Sequence, residues 1–333
     1  MQAAIVTTLR RPVALESFIR HHLAAGFDHL FLFFDDPKEI IESGPQITAI
    51  PHDAWLREAW RNTQAYEKLD YLRNYIHHEV MARQCLNAAV AIRLSLDKRI
   101  DWLLHIDADE LFYLPEDQPL RDHFQNLINM NVRRVIYPNF EAVPERTEIG
   151  DFFKEVTLFK VNRQRLPGAK FNDKQIAAIR SVPQLAERFF NFYTNGKCAA
   201  RVSADLLPSN PHRFLMPGAP ESNTFVSRRQ AILHYAICGF EQFWNKYTTR
   251  GRFSDKWFGQ VDIKSVEPFH LEARDIVAAG NRDAAREFYT KRVVISDDQV
   301  INRLIAEGVL ARIIEPRMIL DTINWGNDHD IRR

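Results

Sequence analysis

Glycine, cysteine, net charge and long apolar runs are all scarce in this 333-residue chain, and each shortage removes a class of protein. With only 12 Gly, no GxxxxGK[ST] or other glycine-rich loop follows the first apolar run, which argues against a P-loop enzyme. The three cysteines, Cys85, Cys198 and Cys238, are odd in number and far apart, with no CxxC or Cys/His cluster. Neither a disulfide framework nor a structural zinc is expected, and the thiols read as reduced and buried. The 44 Lys+Arg and 43 Asp+Glu nearly cancel to a formal charge of +1. That balance gives no global electrostatic case for binding nucleic acid or a membrane surface. No apolar run approaches the roughly 20 residues that span a bilayer. The opening Ala3–Leu9 stretch is too short, and too uncharged in front, for a signal peptide. A cytoplasmic protein with no transmembrane segment is the expectation.

What is present is an ordinary globular share of hydrophobic residues, 46%, with 23 Phe to fill a core or line a pocket. Residues 3–9 read as a buried strand, and Val13 to Ala25 as a helix that Gly26 ends. His29–Phe34 is a second apolar run, closed by Asp35-Asp36-Pro37. Ile47–Ile50 is a third short run, a long helix lies around Glu79 to Leu96, and residues 101–106 form a fourth buried run that empties into Asp107-Ala108-Asp109-Glu110. Buried runs alternating with helices imply an α/β fold with a mostly parallel sheet flanked by helices. In such sheets ligands bind beyond the carboxyl ends of the strands, and Asp35, Asp36, Asp107 and Asp109 all stand there. Beyond about residue 135 the pattern loosens. Residues 135–137, 156–159 and 231–235 are possible strands, 163–228 shows little periodicity, and 281–293 and 297–310 read as helices.

Asp107-Ala108-Asp109 carries the chemistry. At a strand end, alternation would turn both carboxylates to one side. Hard cations such as Mn²⁺ or Mg²⁺ take oxygen ligands, often one or two carboxylates completed by substrate phosphates. Asp-x-Asp is also a common loop tripeptide, but apolar residues on both sides put this one at depth, where a charge needs a partner.

The run Trp102–Phe112 resembles the W-hydrophobic-x-x-D-x-D-E-F signature of family 2-like and family 92-like glycosyltransferases. Glu16–Asp36, with His21-His22, Gly26 and Asp28-His29, is similar to their opening block. Asn195-Gly196-Lys197, Pro211–Phe214 and Leu233-His234-Tyr235 resemble their later blocks, in the same order over roughly residues 3–260. Two departures stand out. Asp35-Asp36-Pro37 replaces the usual Asp-Asn ending, and His212 is followed directly by Arg213.

The resemblance implies a GT-A (Rossmann-like) catalytic domain over residues 1–265, with an elaborated helical C-terminal extension over 266–333 packed on it. It implies transfer of a sugar from a nucleotide-sugar donor, UDP-sugar favoured, to a carbohydrate or other hydroxyl acceptor, with Mn²⁺ or Mg²⁺ as cofactor and an inverting outcome. Carried over by position, Asp109 and His234 bind the metal, and Asp107 contacts the ribose or the metal shell. Asp35 or Asp36 meets the nucleoside, and Arg83 and Gln84 line the same pocket. Lys197, Lys246 and Arg250 neutralise the departing diphosphate.

Alternatives stay open residue by residue. His234 alone reads equally as a core histidine, and Lys246 and Arg250, at i and i+4, as a solvated helix face. His21-His22 and His77-His78 read as helix-surface residues and caps. Trp55 and Trp60 are core or sugar-stacking residues. For the base that takes the acceptor proton, Glu141 after an apolar run and Asp255 are the candidates, Glu141 being equally a surface acid. Two other functions compete: a metal-dependent nucleotidyltransferase, which uses paired aspartates too, and a catalytically silent GT-A scaffold that binds carbohydrate.

Overall fold

The computed structural model describes residues 1–115, 118–218 and 223–322. The chain divides into two compact units, each discontinuous in sequence: residues 1–138 with 195–232, and 139–194 with 233–322. In chain order the strands are β1 (Ala3–Leu9), β2 (His29–Phe34), β3 (Ile47–Pro51), β4 (Trp102–His105), β5 (Glu110–Tyr113), β6 (Arg134–Tyr137), β7 (Asn139–Ala142), β8 (Leu158–Lys160), β9 (Lys197–Arg201), β10 (Leu207–Asn210), β11 (Arg213–Leu215), β12 (Thr224–Val226), β13 (Ala231–His234), β14 (Lys256–Trp257), β15 (Val261–Asp262) and β16 (Leu310–Arg312).

The first unit is built on a sheet of order β12-β6-β9-β4-β1-β2-β3. Strands β4, β1, β2 and β3 run parallel, in a register that sets Ala4 beside His29 and Val6 beside His105. Every residue of β1 and β2 is buried, as expected for strands covered on both faces. The sheet is thus mixed and mostly parallel, as the alternation of runs predicts. The departure is β9, which lies antiparallel between β4 and β6. Its sequence, Lys-Cys-Ala-Ala-Arg, has no β-branched residue to announce a strand.

The helix Val80–Asp97 packs on β1 through a largely small-residue face that includes Ala82, Cys85, Ala88 and Ala89. One buried polar chain ties it down. Trp60 Nε1 donates to Asn87 Oδ1 at 2.9 Å, and Asn87 Nδ2 donates to Thr8 Oγ1 at 2.8 Å. Trp60 is therefore core, whereas Trp55 is half exposed at 50%. The three cysteines are free and buried.

Two sequence expectations need correction. Strand β4 ends at His105, and Asp107–Glu110 form a turn closed by the Glu110 amide donating to Asp107 O at 3.1 Å. The turn, not strand alternation, sets the directions of Asp107 and Asp109. His21 and His22 are buried, not surface residues. His21 Nε2 bonds Phe112 O at 2.9 Å, while the Phe112 amide donates to His22 Nε2 at 3.1 Å. The pair thereby fastens the helix Leu15–Ala24 to β5. His77 and His78, by contrast, are exposed.

The second unit holds β7 and β8 as an antiparallel pair, with β16 antiparallel on the far side of β8. The helices Phe240–Arg250, Pro268–Ala278 and Arg282–Val293 close over Phe192, Phe243, Tyr247, Phe269 and Tyr289. A second apolar cluster gathers Val143, Leu158, Ile179, Leu304 and Leu310. The first of these cores also holds Phe240, with Phe253 and Phe288 packed against it. No helix among the described residues is long and apolar enough to cross a membrane.

Candidate functional site

In the first unit the sheet changes direction at β1, whose two neighbours are β2 and β4. A crevice outside the carboxyl ends at such a switch point is where ligands bind in open α/β sheets. Asp35 follows β2 and Asp107 follows β4 by two residues, so both acids stand at that edge.

Asp35 is clamped in bidentate fashion by Arg83, Nε to Oδ1 at 2.6 Å and Nη2 to Oδ2 at 2.9 Å. Arg10 Nε lies 3.9 Å and His52 Nδ1 3.8 Å from the same carboxylate. Asp36 does something else: its side chain accepts the Lys38 amide and caps the short turn Pro37–Glu39. Pro37 is the first residue of that turn, and Asp36 is its cap.

Asp107 is held just as firmly. Gln84 Nε2 donates to its Oδ1 at 2.6 Å, and Lys197 Nζ to its Oδ2 at 2.6 Å. Lys197 Nζ also lies 3.5 Å from Glu110 Oε2, and the Asp107 amide donates to that same oxygen at 2.8 Å. The Lys197 and Glu110 side chains are fully buried, while Asp107 keeps 26% exposure. Burial pushes Asp107 up, but the adjacent ammonium outweighs it and holds the carboxyl well below the usual range. Burial drives Glu110 far above its ordinary value. For Lys197, burial works against the charge and the two carboxylates restore it, leaving the ammonium above its ordinary value. Lys197, expected against the diphosphate, thus lies beneath Asp107 and acts on that acid. Glu110 was legible as a letter of the motif, but nothing in the sequence gave it this role.

A glycine sets the lysine in place. Gly196 has φ +72°, and a Cβ there would lie 2.2 Å from Tyr137 O. Only glycine lets β9 begin this close to the end of β6. On the same edge, His105 is buried, its Nε2 finds no partner, and burial beside Lys197 lowers it to about 3. It is a neutral ring at ordinary pH.

The remaining candidates belong to the second unit. Glu141 is 2% exposed. Its oxygens accept from Lys160 Nζ at 2.7 Å and from the Asn191 and Phe192 amides at 3.0 and 2.9 Å. A carboxylate so enclosed pairs strands β7 and β8, and the structure does not present it to an acceptor hydroxyl. Asp255 is 72% exposed and is paired with Arg274 at 2.7 Å. His234 is buried, its ring 4.8 Å from that of Tyr193 and 5.5 Å from that of Phe192. Lys246 donates to Ala236 O at 2.8 Å and lies over the Phe192 ring. Arg250 Nη1 reaches His270 Nδ1 at 3.4 Å. Lys246 and Arg250 therefore point inward, toward Phe192 and His270, and are not a solvated face. Among the described residues no group of three or more His, Cys, Asp or Glu side chains is arranged to hold a metal.

Comparison with known proteins returns glycosyltransferase-like relatives. The chain is 27% identical over 324 residues to Glycosyltransferase-like At2g41451 of Arabidopsis thaliana, with 92% of this chain and 68% of that protein covered. It is 27% identical over 320 residues to Glycosyltransferase-like At3g57200 of the same plant, covering 92% of this chain and 60% of the relative. No family model matches. The similarity runs through both compact units.

Proposed function

We propose that this chain is a glycosyltransferase of GT-A type that takes a nucleotide-sugar donor, UDP-sugar favoured, and transfers its sugar to a carbohydrate or other hydroxyl acceptor. The observation that carries the reading is the pair of acids at the β1 switch point, each fixed by a basic partner: Asp35 by Arg83 and Asp107 by Lys197. Two rigid acceptors at the carboxyl edge suit the donor hydroxyls of a ribose, and the exposed Arg10 beside Asp35 suits its phosphates, whereas Arg83 is spent on Asp35 and Ile76 O. The names of the two relatives supply independent support.

Mn²⁺ or Mg²⁺ is the expected cofactor. The resemblance assigns the ion to Asp109, with the donor's phosphates completing its shell, while Asp107 accepts from Gln84 on Oδ1 and from Lys197 on Oδ2. When bound, the ion neutralises charge that develops on the departing diphosphate. Asp107, fixed by Gln84 and Lys197, orients the nucleoside through its exposed edge.

Calorimetric titration of UDP and of GDP, with Mn²⁺ and then with EDTA, tests the reading. One diphosphate is expected to bind, to weaken in EDTA, and to weaken at least tenfold in Arg83→Met. Binding of neither nucleotide with Mn²⁺ present refutes the proposal. Binding unchanged by EDTA removes Asp109 from the ion while leaving the nucleotide reading in place.

A further inference from the structure

The second unit carries an open cavity of about 460 Å³, lined throughout by its own residues. That volume is in the range usual for small-molecule sites. Arg188 and Asn191 come to its wall from the stretch before β9, and Lys264 and Ser265 from the turn that leads into the helix Pro268–Ala278. Asn191 is 7% exposed. Its backbone amide is pinned to Glu141 Oε1 at 3.0 Å, yet its carboxamide makes no hydrogen bond among the described residues. A buried carboxamide without a protein partner is costly unless solvent or a ligand meets it. The charges on the wall are uneven. Arg188 donates to backbone carbonyls, Nε to Phe190 O at 2.9 Å and Nη2 to Val266 O. Lys264 is exposed and makes no ion pair among the described residues. Nearby Asp262 is committed to capping, its side chain taking the Lys264 amide at 2.9 Å. Arg292, by contrast, is matched by Glu187 at 2.8 Å and Glu272 at 3.2 Å. Pro268 and Phe269, which begin their helix, also line the cavity, and no side chain caps that helix. Its first turn therefore adds positive potential to two cations that no carboxylate neutralises.

We propose that this cavity binds an acidic sugar, a hexose-sized unit carrying a carboxylate or a phosphate. The remaining Arg188 N–H groups and the Lys264 ammonium take the anionic group through charge-assisted hydrogen bonds. The Asn191 carboxamide, both donor and acceptor, meets the ring hydroxyls. Half-buried Pro268 gives the C–H face of the ring an apolar wall. The space is far larger than a bare oxyanion fills, and the carboxamide asks for a hydroxylated body beside the charge. Glu141 acquires a role in this site. By accepting from Lys160 and from the Asn191 and Phe192 amides, it fixes the backbone that presents the carboxamide. The site consists of second-unit residues alone, and it stands whether or not the first unit binds a nucleotide.

The test titrates glucuronate, galacturonate, glucose 6-phosphate, glucose and inorganic phosphate into the full chain by calorimetry at low ionic strength. Lys264→Met and Asn191→Ala are compared with wild type, and the folding of each is checked by thermal melting. Neither side chain bonds to another described residue, so both variants are expected to melt close to wild type. At least one acidic sugar is expected to bind, with glucose and inorganic phosphate at least tenfold weaker. Preference for the uronates identifies the anionic group as a carboxylate, and preference for glucose 6-phosphate identifies it as a phosphate. The bound sugar is expected to lose about tenfold in affinity in Lys264→Met and about three- to tenfold in Asn191→Ala. Absence of binding by all three acidic sugars overturns the proposal. Inorganic phosphate that binds as tightly as the sugars also overturns it, because the site then takes a bare oxyanion. Affinity within twofold of wild type in either folded variant places the ligand elsewhere and overturns it as well.

Discussion

Replacing Lys197 with methionine is the sharpest test of how the Asp-Ala-Asp turn is held. Methionine fills much of the volume, so the change removes chiefly the ammonium. That group lies 2.6 Å from Asp107 and 3.5 Å from Glu110, with no solvent exposure of its own. At an effective dielectric constant of about 20, Coulomb's law gives roughly 6 kcal/mol for the nearer contact before desolvation is counted. Desolvation offsets part of this, and cutting one partner from a buried pair typically costs about 3–5 kcal/mol. Most of that falls on Asp107, because burial already drives Glu110 toward its protonated form. Urea unfolding at pH 7, followed by circular dichroism and tryptophan fluorescence, should show a loss in that range. Lys197→Met/Asp107→Asn should recover part of it, since the second change removes the charge left unpaired. The pH dependence has a definite sign. The folded value of Asp107 lies below its ordinary 3.8, so the pair's contribution is present above about pH 4 and is lost as pH falls through the depressed folded value. The gap between wild type and Lys197→Met should therefore narrow on acidification below pH 4. A loss under about 1 kcal/mol, or a double variant no more stable than the single one, would refute the clamp.

Gly196→Ala should destabilise by more than the roughly 1–2 kcal/mol of a left-handed alanine, because its Cβ also meets the Tyr137 carbonyl; urea midpoints within error of wild type would contradict this. Burial lowers His21 to about 4, so the unfolded chain takes up its proton first and wild-type stability should fall between pH 6.5 and 4. In His21→Gln that part of the slope should disappear, and equal slopes would show that His21 does not stay neutral. Trp55→Ala should alter stability by no more than about 0.5 kcal/mol. Trp60→Phe should cost about 1–3 kcal/mol by leaving buried Asn87 short of a donor, and a reversed order in thermal melts would reject the core assignment.

Sequence alone determined the parallel half of the sheet. Ala3–Leu9, His29–Phe34 and Trp102–His105 are runs that only a doubly covered strand can bury, and Asp35 and Asp107 follow two of them at the carboxyl edge. The helix Val80–Asp97 was equally legible from its period. Tertiary structure decided the rest, because the deciding contacts join residues far apart in the chain. β9 is a strand only because β4 and β6 flank it, and its lysine reaches Asp107 across 90 positions of sequence. Asp35 and Asp36 look equivalent in the sequence, yet Arg83, 48 residues on, claims one while a local turn claims the other. Glu141 shows the same limit. The acid after an apolar run is enclosed by Lys160 and two amides. Apolar periodicity is a local property that survives in one dimension. What a charge finds when it is buried is not.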